Sequence, residues 1–140
     1  MNDIEQTVAD RFREYNDTFG RAFHADDPKL LRPYCHVPSM RIGPGGASVM
    51  QTPEESDARW ARTLADLPAD YDHSVQHTVD VMLTSATTAW VTVDIGRCNT
   101  EGTEYARFWA SYIAMQTHEG WQITTWVGHE PGHAPQTVRR

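Results

Sequence analysis

The sequence predicts an α+β domain: a curved antiparallel sheet wrapped over three N-terminal helices. Four long strand-type runs fill residues 73–129, and only short turn signals separate them, at Ser85-Ala86-Thr87, Asn99-Thr100-Glu101-Gly102 and His118-Glu119-Gly120. An amphipathic helix opens the chain, with Ile4, Val8, Phe12, Tyr15, Phe19 and Phe23 recurring every three or four residues. Long antiparallel strands behind such a helix imply a curved sheet closing over a pocket.

Each element has a local cause. Asn2 can cap the first helix, with Glu5 at the third helical position, and the apolar face runs to about His24. Asp27-Pro28 reads as a cap with proline at the first helical position, opening a short second helix through Leu30 and Leu31 that stops near Pro33. Residues 34–42 look extended, Gly43-Pro44-Gly45-Gly46 is a turn by composition, and residues 47–51 can return as a second short strand. Thr52-Pro53-Glu54-Glu55 joins a capping hydroxyl, an N1 proline and a carboxylate at N3, so a third helix should run from Pro53 to about Asp66, with Trp60, Ala61, Leu64 and Leu67 facing the core.

A chain of 140 residues is one domain's worth, able to bury roughly two-thirds of the surface its unfolded form exposes. Residues 1–130 are expected to form that domain and 131–140 a flexible tail. A formal charge of −7 and a pI near 5.4 argue against nucleic acid or an anionic membrane as partner, because both need a concentrated basic surface. The N-terminus has neither a cationic start nor an apolar block, and no stretch approaches a membrane span, so a soluble cytoplasmic protein is expected. Cys35 and Cys98 lack metal-type spacing and are expected as reduced thiols.

The element order resembles the NTF2-like superfamily, the cone fold shared by ketosteroid isomerases, scytalone dehydratases, limonene epoxide hydrolases and SnoaL-like cyclases. The likeness covers residues 1 to about 130. It rests on Tyr34 opening the first strand, the Gly43–Gly46 turn, and the ending Gly120-Trp121-Gln122-Ile123-Thr124-Thr125-Trp126. The chain is also similar to uncharacterised bacterial members reading Tyr-x-His-x-Pro at the first strand (Tyr34, His36, Pro38) and Arg-Phe followed by Tyr in the fifth (Arg107, Phe108, Tyr112). These mark architecture more than chemistry. The resemblance puts Ile42 where the isomerase keeps its proton-shuttling aspartate, which disfavours a steroid isomerase. It puts Tyr112 where that family carries a protonated aspartate, and His129 near the pocket's aromatic rim.

Residues two apart on a strand share a face. The fourth strand offers Trp90, Thr92 and Asp94 against Val91, Val93 and Ile95; the fifth offers Phe108, Ala110, Tyr112 and Ala114 against Trp109, Ser111, Ile113 and Met115. The resemblance implies that Trp90, Thr92, Asp94, Phe108 and Tyr112 face the cone. Asp94 would then be desolvated and its pKa raised, suiting a general acid or base, unless the register is off by one and it faces water. His36 shares parity with Tyr34 and Ile42 and could relay a proton, or could bond neighbouring backbone. Tyr112 could donate to an oxyanion or carbonyl, with Tyr15 and Tyr34 as weaker equivalents. His77 stands in an apolar row with Val75, Val79, Val81 and Leu83, where a satisfied core histidine is the plainer alternative.

Metal binding is not expected, because His73 and His77, like His129 and His133, are four apart, and on a strand that separates them by roughly 13 Å. The absence of G-x-S-x-G, P-loop and G-x-G-x-x-G motifs leaves no support for a nucleophile-elbow hydrolase or a dinucleotide enzyme, and no cofactor is expected. Two functions stay open. One is a cofactor-independent isomerase, dehydratase or cyclase acting by proton transfer on a small, largely apolar molecule, with Asp94 or His36 moving the proton and Tyr112 holding the oxygen. The other is a non-catalytic ligand-binding or dimerisation module. The fifth strand is apolar on both faces, so a homodimer through the convex sheet face is expected.

Overall fold

The structure is a computed structural model, and it describes residues 1–133. Helix α1 (Asp3–Ala25) opens on the expected capping box: the Glu5 N–H donates to the Asn2 side chain at 2.8 Å, and the Asn2 N–H donates back to the Glu5 carboxylate at 2.9 Å. A 3-10 helix (Pro28–Tyr34) follows, capped by Asp27, which accepts from the Lys29 N–H at 3.1 Å. Tyr34 closes this helix instead of opening a strand. Its hydroxyl accepts from Thr18 at 3.1 Å and its ring lies 4.2 Å beneath the Arg11 guanidinium, which ties it to α1.

Strand β1 (Cys35–Gly43) turns into β2 (Gly46–Met50) through a bend in which Gly46 takes a φ of 116°, a conformation that glycine adopts without steric cost. Helix α2 (Pro53–Ala65) begins where the sequence predicts: Thr52 Oγ1 accepts from the Glu55 N–H at 3.1 Å while the Glu55 carboxylate accepts from the Gln51 N–H at 2.7 Å. Strands β3 (Tyr71–Leu83), β4 (Thr88–Asn99), β5 (Glu104–Thr117) and β6 (Gly120–Gly128) then follow as three successive hairpins. Residues 131–133 form a turn after β6, and the rest of the expected tail lies outside the described residues.

The six strands make one curved, unclosed sheet in the order β2-β1-β6-β5-β4-β3. Every neighbouring pair is antiparallel except β1 and β6, which run parallel. The sheet's inner face packs on α1: Val8, Phe12 and Ala22 from the helix are buried together with Val81, Val91, Val93, Tyr112 and Ala114 from the strands. Phe12 meets the Tyr112 ring at 5.0 Å. Burial of a side chain of this size contributes about 1.5–3 kcal/mol. Among the described residues, no helix is long and apolar enough to cross a membrane.

Candidate functional site

Where α1 no longer covers the sheet, the inner face opens into a cavity of about 520 Å³ between α1, α2 and strands β1 to β6. Six aromatic rings line it: Tyr15 and Phe19 from α1, Trp60 from α2, Phe108 and Tyr112 from β5, and Trp126 from β6. These rings brace each other edge to face, with Tyr15 at 6.2 Å from both Trp60 and Tyr112, and Trp60 at 5.8 Å from Trp126. Trp126 Nε1 donates to the Tyr15 hydroxyl at 3.3 Å. Trp60 Nε1 donates to Cys35 Sγ at 3.3 Å, and burial pushes that thiol up to about 12, well away from reactivity. Cys35 and Cys98 are both free and buried.

Of the residues expected at the site, Tyr15, Phe108 and Tyr112 line the cavity. The β5 register is as expected, but that of β4 is one residue away. Cross-strand pairing sets Val91 opposite Tyr112, Val93 opposite Ala110 and Ile95 opposite Phe108, so the aliphatic set faces inward. Trp90, Thr92 and Asp94 pair with Ile113, Ser111 and Trp109 on the outer face. The physical reason is the apolar surface of α1, which is buried by valine and isoleucine and could not be buried by threonine and aspartate.

Asp94 therefore sits outside the cone, chelated by Arg107, whose Nε and Nη2 donate to its two carboxylate oxygens at 3.0 and 2.7 Å. The Arg107 hydrogen bonds hold its carboxyl below the usual range, against a smaller opposing effect of burial, which reverses the upward shift expected from the sequence. Trp90, Thr92 and His129 do come together, in an outer-face chain: Trp90 Nε1 donates to Thr92 Oγ1 at 3.2 Å, Thr92 meets Ser111 at 3.0 Å, and Ser111 meets His129 Nε2 at 2.8 Å. Burial lowers the His129 pKa, with a smaller effect from His133, which favours a neutral ring that accepts from the serine hydroxyl.

The remaining two histidines and Tyr34 also lie away from the cavity lining. β1 pairs with β6 through a register irregularity between Cys35 and Met40, and its inward side is the odd-numbered set Cys35, Ser39 and Arg41, not the even-numbered set that contains His36, whose Nδ1 bonds the Pro38 carbonyl at 2.9 Å. A second irregularity, between Gln76 and Thr78, puts Ser74 and Gln76 on the cavity and leaves His77 on the outer face. There His77 meets the Glu104 carboxylate at 3.1 Å above Gly96, where a Cβ would collide with both.

The cavity also holds cations that were not among the residues expected at the site. Arg41 of β1, Arg59 of α2 and Arg97 of β4 all line it, and the lining holds no Asp, Glu, His, Lys or Cys. Arg59 Nη1 donates to Ser48 Oγ at 3.2 Å. Arg41 lies 5.4 Å from the Trp60 ring, and Arg97 lies 4.8 Å from Phe108 and 5.8 Å from Phe19. Burial, and secondly the charge of Arg59, lower the Arg41 pKa. Burial raises both Tyr15 and Tyr112, so both phenols are neutral donors well past pH 7. Among the described residues, no group of three or more His, Cys, Asp or Glu side chains is placed to hold a metal ion.

Comparison with known proteins agrees with this architecture. A family model described as NTF2-like protein (DUF6841) matches residues 4–131. The chain belongs to this family. No curated protein matches it. Among solved structures it is similar to a protein of unknown function with a cystatin-like fold from Nostoc punctiforme PCC 73102, with a TM-score of 0.68 at 11% identity over 87% of this chain and 90% of that one. It is also similar to a ketosteroid isomerase-like protein from Erwinia carotovora atroseptica SCRI1043, with a TM-score of 0.63 at 18% identity over 92% and 97% of the two chains. A nuclear transport factor 2 (NTF2-like) superfamily protein from Salmonella enterica serovar Typhimurium LT2 gives 0.63 at 14% identity, covering 96% and 94%. At these identities the likeness is one of fold.

Proposed function

We propose that this NTF2-like chain is a small-molecule pocket protein that holds a ring-bearing ligand in its cone, and that binding rather than proton transfer is its activity. The observation that carries this is the composition of the wall: six aromatic rings around about 520 Å³, with no carboxylate or imidazole among the lining residues. A proton-transfer isomerase or dehydratase needs two titratable groups within reach of one substrate atom and near neutrality. The cone offers two phenols with raised pKa values and three arginines, which can orient an oxygen but not abstract a proton at pH 7. The test is calorimetric titration with 2-naphthamide, a neutral fused-ring probe. Saturable binding that is lost in Ala110→Trp, which fills the cone, is the expected result. Absence of saturable binding, or binding indifferent to Ala110→Trp, would remove the pocket as the site.

We also propose a homodimer through the outer sheet face. Pairing aligns Val49, Met40, Thr125, Ile113, Trp90 and Met82 in one row across all six strands. Its five apolar members are 37–49% exposed, an apolar stripe interrupted by Thr125 that a second copy would cover. Sedimentation equilibrium should give twice the chain mass at micromolar concentration and the single mass for Ile113→Lys. One chain's mass for the parent would sink the proposal.

A further inference from the structure

A guanidinium withdrawn from water without a partner costs several kcal/mol, and the cavity wall carries three that are each half-buried. Elsewhere the chain matches such charges internally: Arg107 with Asp94, Arg32 with Asp57, Arg11 with Glu14. Among the described residues Arg41, Arg59 and Arg97 have no carboxylate partner, although the chain has 19 acidic residues to supply one. The shortage extends to single hydrogen-bonding atoms on the same wall. Arg97 Nε and Gln76 Oε1 are buried without any hydrogen-bond partner, and the Tyr112 hydroxyl, on a residue only 4% exposed, makes no hydrogen bond among the described residues.

Arg41 of β1 and Arg59 of α2 line the cavity together beside Trp60, and the charge of Arg59 adds to burial in lowering the Arg41 pKa. Like charges facing one open volume are relieved by an anion placed between them, and the planar guanidinium fork matches a carboxylate. Six rings and the aliphatic side chains of Ile95, Ala110 and Val127 give the same wall an apolar surface, which a bare ion would leave unused.

Resting on the pocket reading above, we infer that the cone's ligand is an aromatic or fused-ring carboxylic acid bound as its anion. Arg41 and Arg59 hold the carboxylate, Trp60 and Trp126 flank the ring body, and Arg97 and Tyr112 donate to a second oxygen of the ligand. Net charge does not oppose this. All the acidic groups behind the chain's net −7 lie outside the cavity lining, and the local field at the mouth is that of the arginines.

The experiment pairs 2-naphthoate, ionised at neutral pH, with 2-naphthamide, which has the same rings and no charge, in calorimetric titrations of the intact chain. Naphthoate should bind at least about tenfold more tightly, the scale of one or two charge-assisted hydrogen bonds. Arg41→Gln should remove that advantage, weakening naphthoate by at least about fivefold more than naphthamide, whose remaining binding reports an intact cone; Arg59→Gln serves if Arg41→Gln does not fold. Equal affinity for the two probes, or an Arg41→Gln that weakens both alike, would overturn the anion inference and leave the pocket standing. Inorganic phosphate displacing naphthoate at equal concentration would overturn the ring-bearing acid in favour of a bare anion. Failure of both probes to bind would overturn the pocket reading itself.

Discussion

Arg97 and Arg107 stand on adjacent strands of one sheet and meet opposite conditions. Arg107 projects from the outer face, where Asp94 accepts two of its hydrogen bonds. Arg97 projects from the inner face, stacked on Phe108 with its Nε buried and unbonded. The outer face settles its own polar groups: Asp94 with Arg107, His77 with Glu104, and Trp90 through Thr92 and Ser111 to His129. The inner face settles its apolar ones against α1 and leaves Arg97 Nε and Gln76 Oε1 without a partner among the described residues. A polar group satisfied within the chain is structural by default, whereas one buried and unsatisfied is arranged for something that arrives from outside.

The largest expected effect comes from breaking the apolar half of the inner face. Phe12 is 2% exposed and packed on Tyr112, so Phe12→Ala should cost about 3–5 kcal/mol in chemical denaturation. Trp90→Ala on the outer face, where the ring is 37% exposed, should cost far less in a monomeric background such as Ile113→Lys. Similar losses in the two variants would mean that the outer face is packed as tightly as the inner one.

A smaller effect separates the charged groups. Asp94→Asn should lower the denaturation midpoint at pH 7, because it breaks the chelate with Arg107. The sign with pH follows from the depressed carboxyl. Its contribution is present above the unfolded carboxylate pKa, about 3.9, and is lost as pH falls through the lower folded value. Parent and Asp94→Asn midpoints should therefore converge below about pH 4. A variant as stable as the parent at pH 7 would show that the pair is spectator geometry.

That prediction also marks where the sequence ceased to be legible. The capping box at Asn2, the Thr52 cap and the β5 face could be read because each is local: a few adjacent side chains decide it. The face of β4 depends on which alternate set α1 buries. Val91, Val93 and Ile95 carried that signal in their aliphatic side chains, and Arg97 continues the same alternation, which makes it the clue to a cationic wall. The irregular register in β3 leaves no mark in the spacing of residues, and Tyr34, whose parity guided the placing of His36, belongs to the 3-10 helix and not to β1, so neither histidine could have been placed without the structure. Arg41 and Arg59 meet only because β1 and α2 close on one opening.

The smallest expected effect is the sharpest comparison, between two tyrosines whose rings are 6.2 Å apart on the same wall. Tyr15→Phe deprives Trp126 Nε1 of its acceptor and should cost about 1–3 kcal/mol, the penalty for a stranded buried donor. Tyr112→Phe removes a hydroxyl with no partner among the described residues, so the bond that would ordinarily contribute about 0.5–1.5 kcal/mol is not there to lose. Its stability should stay within about 0.5 kcal/mol of the parent or rise slightly, because an unpaired polar group has been taken out of a desolvated site. The alkaline side follows the same division. Both folded pKa values lie above the unfolded tyrosine value of about 10, so stability is intact below that pH and falls as pH rises past it. Tyr112→Phe should soften that alkaline loss without altering the midpoint at pH 7. A clear loss at pH 7 would mean that the Tyr112 hydroxyl is already satisfied inside the protein, and its role as a donor to the ligand would go with it.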